Sequence, residues 1–326
     1  MERDGRMSRK KGKRRRSKLK RLLVFVLVFL AAALGCWYLL LGKLYGEMTY
    51  EEAEGFADKP WKEEGVINIL LIGNDSRENV EGSRSDAMIL LSISSKNKSI
   101  YMTSLLRDIY VEIPGHEGNR LNAAYAYGGS ELLLETINTN FDLSVNRYML
   151  VDFVAFANLV DGVGGVDLEL TEPELEYVNA YLVEYNSIND RPEGTDYMDT
   201  SKAGQVHLNG AQALAYSRNR YIGTDFGRTE RQRKVLSEVI KKAPGALIKN
   251  PAGLMEGLLP NLTTNLTKEE CFALSLRAGN FVLWDLCQGS VPLEGTYRSA
   301  DIRGMSVLEI DFEQNREYLH EIMYGE

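Results

Sequence analysis

Twenty consecutive residues without a charge, Leu22 to Leu41, stand directly behind a strongly basic head, and no other feature restricts the fold of this chain as much. At about 1.5 Å of rise per residue, a helix of that length crosses roughly 30 Å of hydrocarbon. The first 21 residues hold 12 Lys and Arg against Glu2 and Asp4, a net charge of +10. Everything after them holds 26 basic and 44 acidic residues, so the formal −8 of the whole chain conceals a head at +10 and a remainder at −18. Basic residues confined to one side of an apolar span keep that side in the cytoplasm. Residues 1–21 therefore read as a cytoplasmic tail, 22–41 as one transmembrane helix of the cell membrane, and 42–326 as extracellular. A cleaved signal peptide would use Leu22–Leu30 as its core and Ala31–Ala33 as its processing site. Against that reading, apolar character runs on through Leu34, Cys36 and Leu39 to Leu41, and Trp37 and Tyr38 suit a headgroup interface.

Nucleic acid is excluded as a partner, because phosphate neutralisation needs a basic folded part and this one is acidic. With 44% apolar and 26% charged residues, the chain is neither disordered nor fibrous. Cys271 and Cys287 lie on the oxidising side, where a disulfide and two free buried thiols are equally compatible with the sequence. No Cys-x-x-Cys occurs, and His116, His207 and His320 are scattered.

Residues 42–64, rich in Glu, read as a juxtamembrane stalk or amphipathic helix. From Ile67 the pattern changes. Ile67–Ile72, Ala87–Ile93, Ser99–Leu106 and Ile109–Ile113 are short Ile- and Leu-rich runs between turn residues, as expected of strands buried on both faces. Helical patterns follow at 121–127, 131–137, 153–160, 173–184, 211–216 and 229–242. Strands mixed with helices predict one α/β domain whose sheet is covered on both sides. The sequence leaves the oligomeric state open, and a monomer is the working expectation.

Charged residues gather where these strands end. Asp75 and Arg77 follow the first run, Arg84 and Asp86 precede the second, and Arg107 and Asp108 close the third. Ligands of such sheets bind in the crevice at strand ends. A second group lies about 110 residues on: Arg218 and Arg220 share a face of extended chain, and Arg228, Arg231 and Gln232 share a face of a helix. Guanidiniums brought together repel one another unless an anion lies among them, and their planar fork suits phosphate oxygens. Two nearby aspartates suit a hard divalent cation, Mg²⁺ or Mn²⁺, bridging the same phosphates. Each residue alone is also compatible with a bland role: a solvated Arg, a turn or cap at Asp75, packing at Tyr125 and Tyr127.

In order along the chain, NILLIGNDSR (Asn68–Arg77), RSDAMILLS (Arg84–Ser92), SLLRDIYVEI (Ser104–Ile113), LNAAYAYGG (Leu121–Gly129), VDFVAFANLVDGVGGVDL (Val151–Leu168), LNGAQALAYSRNRY (Leu208–Tyr221) and DFGRTERQ (Asp225–Gln232) resemble the LytR-CpsA-Psr family of cell-envelope enzymes. The resemblance implies a mixed central β-sheet sandwiched between helices, with residues 65–326 as the catalytic domain. It implies a polyprenyl diphosphate carrier and transfer of its phosphate-linked glycopolymer, such as teichoic acid or capsule, to peptidoglycan. By position it implies Asp75 and Asp86 at the metal, and Arg84, Arg107, Arg218, Arg220, Arg228 and Gln232 at the diphosphate, with Arg107 and Asp75 catalytic. A polyprenyl-lipid-binding regulatory protein and a polyprenyl diphosphate hydrolase are the alternatives. A short stretch between Arg220 and Arg228 leaves the role of Asp225 open, Leu106 replaces the family's frequent proline, and residues after about 250 match no motif.

Overall fold

The Ile- and Leu-rich runs become the strands of one sheet because alternate side chains of each can be buried on opposite faces at once. A computed structural model describes residues 29, 31–32, 34–74, 85–219, 222–249 and 259–325. Two compact units divide the chain, Met1–Gly46 and Glu47–Glu326. In the first, residues 34–45 form helix α1. No helix among the described residues is long and apolar enough to cross a membrane. Of the expected span Leu22–Leu41, residues 22–28, 30 and 33 lie outside that set, and residues 34–41 belong to α1.

In the second unit the seven strands of the main sheet run β1 (Thr49–Tyr50), β2 (Val66–Asn74), β3 (Ser85–Ser94), β4 (Ser99–Leu105), β7 (Arg147–Asp152), β10 (Leu262–Thr264) and β11 (Asp285–Val291) in chain order. Their spatial order is β1-β10-β7-β2-β3-β4-β11. Pairing is mixed: β2 runs antiparallel to β3 and parallel to β7, and β4 runs antiparallel to β3 and parallel to β11. Within the segment 42–64, read above as a stalk, Thr49–Tyr50 joins the sheet edge and Ala53 and Phe56 are buried.

Helices cover both faces. Helix α2 (Leu121–Phe141) and the C-terminal α8 (Phe312–Tyr324) enclose Leu70, Ile72, Met88 and Leu90 on one side. On the other, α7 (Lys268–Phe281) packs Cys271 and Leu274 near Ile67, Ile69, Ile93 and Ile100. A further core joins α3 (Phe153–Gly162), α4 (Glu172–Ile188), α5 (Gly210–Arg218) and α6 (Asp225–Lys249) with the hairpin β8 (Val166–Leu170) and β9 (Gly204–Leu208). Two smaller ladders complete the unit, β5 (Tyr110–Val111) with β6 (Asn119–Arg120), and β12 (Tyr297–Ile302) with β13 (Met305–Ile310).

The two helical patterns expected at 121–127 and 131–137 are one element broken at Gly128 and Gly129, whose backbone is not helical. The segment Leu208–Gln212, part of the family-like pattern, has a structural explanation. Asn209 caps α5 and Gln212 closes the capping box, while a Cβ at Gly210 would lie 2.1 Å from the carbonyl oxygen of Ala157. Only glycine lets α5 approach α3 this closely. Cys271 and Cys287 are both free, and burial, with the negative charges of Glu270 and Glu269, pushes the Cys271 thiol up to about 11.

Candidate anion site at the strand ends

Sheet register gathers chain ends on one edge. Asn74, the last residue of β2, pairs with Ser85 at the start of β3 and with Asp152 at the end of β7, and Leu105 at the end of β4 pairs with Val291 of β11. The chain leaves β4 through Leu106, whose amide donates to the Val291 carbonyl, and then presents Arg107 and Asp108. Both are fixed through their backbones: the Arg107 carbonyl accepts from the amide of Asn122, and the Asp108 carbonyl from the amide of Leu308 in β13.

Across from this loop lies the first turn of α6. Asp225 opens the helix, and its Oδ1 lies 3.4 Å from Arg107 Nη2 and 3.4 Å from Arg228 Nη2. One carboxylate oxygen thus stands between two guanidiniums, one of them from Arg107, 118 residues away in the chain. Asp108 Oδ2 is 3.6 Å from Arg107 Nε, and Asp108 Oδ1 is 3.5 Å from Arg120 Nε. Burial raises the Asp108 carboxyl above its ordinary value, opposed by Arg107 and reinforced by Asp225. Separations of 3.4–3.6 Å are longer than charge-assisted hydrogen bonds of about 2.7–2.9 Å. The charges face one another at ion-pair distance, so an anion replacing the Asp225 carboxylate would meet both guanidiniums.

The expected residues are distributed as follows. Arg107 and Arg228 meet. Gln232, one turn along α6 from Arg228, has a buried Oε1 that accepts no hydrogen bond from any described residue. Arg218, at the end of α5, stacks over Phe153 with its Cζ 3.9 Å from the ring centroid and over Tyr181 at 5.5 Å. It lines a cavity of about 160 Å³ with Asp152, Val154 and Tyr185. Asp86 is the second residue of β3, on the same edge of the sheet. Asp75, Arg77, Arg84 and Arg220 lie outside the described residues.

Arg231 does something else. Its Nη2 donates to the carbonyls of Asn219 at 2.8 Å and Ile222 at 3.0 Å, and its Nη1 is 4.0 Å from Glu174. It ties α6 to the chain leaving α5, although helical spacing puts it near the face of Arg228 and Gln232. The sequence left the role of Asp225 open; it is the hinge of the charge cluster, at the start of a helix. Arg233 escaped the sequence reading. Arg233 is 7% exposed, donates 2.7 Å to Ser104 Oγ on β4, and has its guanidinium pKa lowered by burial.

The sequence profile of the LytR_cpsA_psr family matches residues 44–321. The chain belongs to the LytR-CpsA-Psr family. Among relatives of this family, the polyisoprenyl-teichoic acid–peptidoglycan teichoic acid transferase TagU of Bacillus cereus is 35% identical over 210 residues, 63% of this chain and 62% of that protein. The protein of the same name from Enterococcus faecalis is 30% identical over 216 residues, 64% of this chain and 65% of its own. The chain thus spans less than two thirds of the length of these relatives. Solved LytR-CpsA-Psr structures share the fold. Bacillus subtilis TagV superposes with a TM-score of 0.61 at 26% identity, covering 80% of this chain and 98% of that one. YwtF (TagT) with bound octaprenyl pyrophosphate lipid gives 0.60 at 23%, covering 82% and 95%.

Proposed function

We propose that this LytR-CpsA-Psr protein is a phosphotransferase that moves a phosphate-linked glycopolymer, a teichoic acid, capsule or similar polymer, from a polyprenyl diphosphate carrier to peptidoglycan. The observation that carries the reading is the pair Arg107 and Arg228, held by different segments around one carboxylate oxygen at the strand ends. A diphosphate entering there takes the place of Asp225 Oδ1 and accepts from both guanidiniums. Gln232, Arg218, Arg84 and Arg220 complete the set that holds its oxygens. Relatives named as teichoic acid transferases and a family structure with octaprenyl pyrophosphate bound support the substrate class.

Phosphoryl transfer depends on positioning and on neutralising charge spread over the equatorial oxygens. A sugar hydroxyl forms a bond to the phosphorus bearing the glycopolymer, and the bond from that phosphorus to the bridging oxygen breaks. Polyprenyl phosphate leaves with the electron pair while Arg107 stabilises the negative charge that develops. The hydroxyl proton passes to a carboxylate of the site, for which Asp75 and Asp108 are the candidates. Asp108 suits the task because burial raises its affinity for a proton.

Mg²⁺ or Mn²⁺ would be held by Asp75 and Asp86 as two hard oxygen ligands, a reading supported by Ser85 Oγ, next to Asp86 in the chain, which is buried without a hydrogen-bond partner among the described residues. When bound, such an ion adds positive charge against the diphosphate oxygens. The side chains of Leu71, Leu91 and Met149 on one face of the sheet are only partly buried, an apolar surface suited to an isoprenoid chain. The tail at 1–21, span at 22–41 and outer domain would place this chemistry at the external face of the cell membrane.

Purified full-length protein, given a polyprenyl diphosphate-linked oligosaccharide, a peptidoglycan acceptor and Mg²⁺, should join the two. Mass analysis of products with and without acceptor separates transfer from hydrolysis, and lipid binding without turnover would support a regulatory protein instead. Wild-type transfer by Arg107→Ala would overturn the assignment.

A further inference from the structure

Next to the arginine cluster the surface carries features that binding a lipid diphosphate does not require. Arg120 reaches from Asp108, 3.5 Å away, to the Ser306 carbonyl, to which its Nε donates at 3.0 Å. Its neighbour Asn119 donates from Nδ2 to the Tyr127 hydroxyl at 2.6 Å. The Tyr127 ring stacks on His116, with centroids 4.8 Å apart and planes inclined by 26°, yet Tyr127 is 47% exposed. A tyrosine so fixed at its polar end and left open along its ring is a rigid amphipathic contact surface.

The loop beneath these rings is built to keep them in place. Gly115 has φ +74°, in the left-handed region, and a Cβ at Gly118 would come within 2.6 Å of the Tyr110 hydroxyl. From the β12–β13 hairpin, Arg303 binds Glu117 and the carbonyl of Gly118. The rings border an open cleft of about 460 Å³ also lined by Glu117, Asn119, Arg303 and Met305. A second depression of about 570 Å³ shares His116 and carries Glu112 and Glu135. Each volume lies within the roughly 300–1,000 Å³ usual for ligand clefts.

We propose that this double cleft is the acceptor subsite, and that it takes a neutral, hydroxyl-rich glycan chain of N-acetylated hexosamines. Two depressions joined at one ring suit a linear polymer of more than one sugar. The open Tyr127 ring matches the apolar face of a pyranose. Asn119 and Arg303 donate to hydroxyl and acetamido oxygens, and the carboxylates of Glu112, Glu117 and Glu135 accept from hydroxyls. Three carboxylates against one guanidinium also make the groove acidic, which repels an anionic donor polymer and admits a neutral acceptor. Arg120, next in the chain to Asn119 of the cleft, faces Asp108, so the cleft adjoins the loop that carries Arg107. The proposal rests on the phosphotransferase reading.

Chitotetraose, a soluble four-sugar chain of N-acetylglucosamine, is the probe, titrated calorimetrically into the full-length protein in detergent micelles. Wild type should bind, Tyr127→Ala and His116→Ala should each weaken binding about tenfold, and Tyr127→Phe should retain most of it. Arg107→Ala, with the catalytic arginine removed, should bind chitotetraose as wild type does. In the transfer assay, Tyr127→Ala should raise the acceptor KM by a similar factor while kcat and the donor KM stay put. No chitotetraose binding by wild type, wild-type binding by a folded Tyr127→Ala, or a raised donor KM would each overturn the subsite. Tyr127-dependent binding in a protein that transfers nothing would instead overturn the phosphotransferase reading and leave the glycan site standing.

Discussion

Arg147 and Arg107 mark opposite ends of the same sheet and hold their charges in opposite ways. Arg147, at the start of β7 and 4% exposed, meets Glu270 through two hydrogen bonds of 2.9 and 2.7 Å and donates to the carbonyls of Phe56, Asn146 and Lys59. Its fork is saturated. Arg107 keeps 22% of its side chain exposed and faces Asp108 and Asp225 at 3.6 and 3.4 Å, sharing the second with Arg228. The first arrangement leaves no room for another anion and serves to pin α7 and the segment around Phe56 to the sheet. In the second, two cations share one loosely held oxygen, a geometry that a diphosphate improves.

Four variants would break or sharpen that contrast. Glu270→Ala leaves the Arg147 charge buried without its partner and should cost about 3–5 kcal/mol in urea unfolding. A loss of under about 1 kcal/mol would show that the saturated pair is no more structural than an exposed one. Arg107→Ala should lower transfer roughly 10²–10³-fold, as expected when one donor to developing charge is removed. Its unfolding free energy should move by less than about 1 kcal/mol, because its ion pairs are long and partly solvated. A stability loss on the Glu270 scale would erase the distinction. Thr267→Ala removes the cap of α7, the helix that carries Glu270, and should cost about 1 kcal/mol by the same unfolding measurement.

The smallest effect concerns pH. Burial raises the Asp108 carboxyl, so the folded protein binds that proton more tightly than the unfolded chain does. Its contribution to stability is complete below the unfolded carboxylate value and is lost as pH rises through the raised one. Asp108→Asn should remove this fall. Thermal melts from about pH 3 to about pH 7 should therefore show the variant gaining on wild type as pH increases. A gain that shrinks with rising pH would reverse the assigned shift.

Much of this architecture could be read in the chain. Ile67–Ile72 and Ala87–Ile93 are legible as buried strands because continuous apolar runs leave no solvent face, and the helices from Leu121 to Lys249 carry their own periodicity. Arg107 and Arg228 were legible only as members of two charged groups, one at a strand end and one on a helix; that they meet around Asp225 came from the structure. The remainder was hidden for specific reasons. Residues after 250 carry no matching motif, yet β10 and β11 extend the sheet on both sides and the amide of Leu308 holds the Asp108 carbonyl. Short strands such as Leu262–Thr264 have too few residues to show a period. Arg231 shares helical spacing with Arg228 but is taken up by the carbonyls of Asn219 and Ile222.

By itself, the sequence determined the division into basic head, uncharged run and acidic folded part, the mixed α/β class, and which charged residues end the strands, because charge and hydrophobic period are local properties. Only the tertiary structure decided that Asp225 would stand between Arg107 and Arg228, that Arg147 would be saturated, and that Tyr127 would lie open on His116 and Asn119. Each of those outcomes depends on which distant backbone closes the space around a side chain, and no window of sequence contains that information.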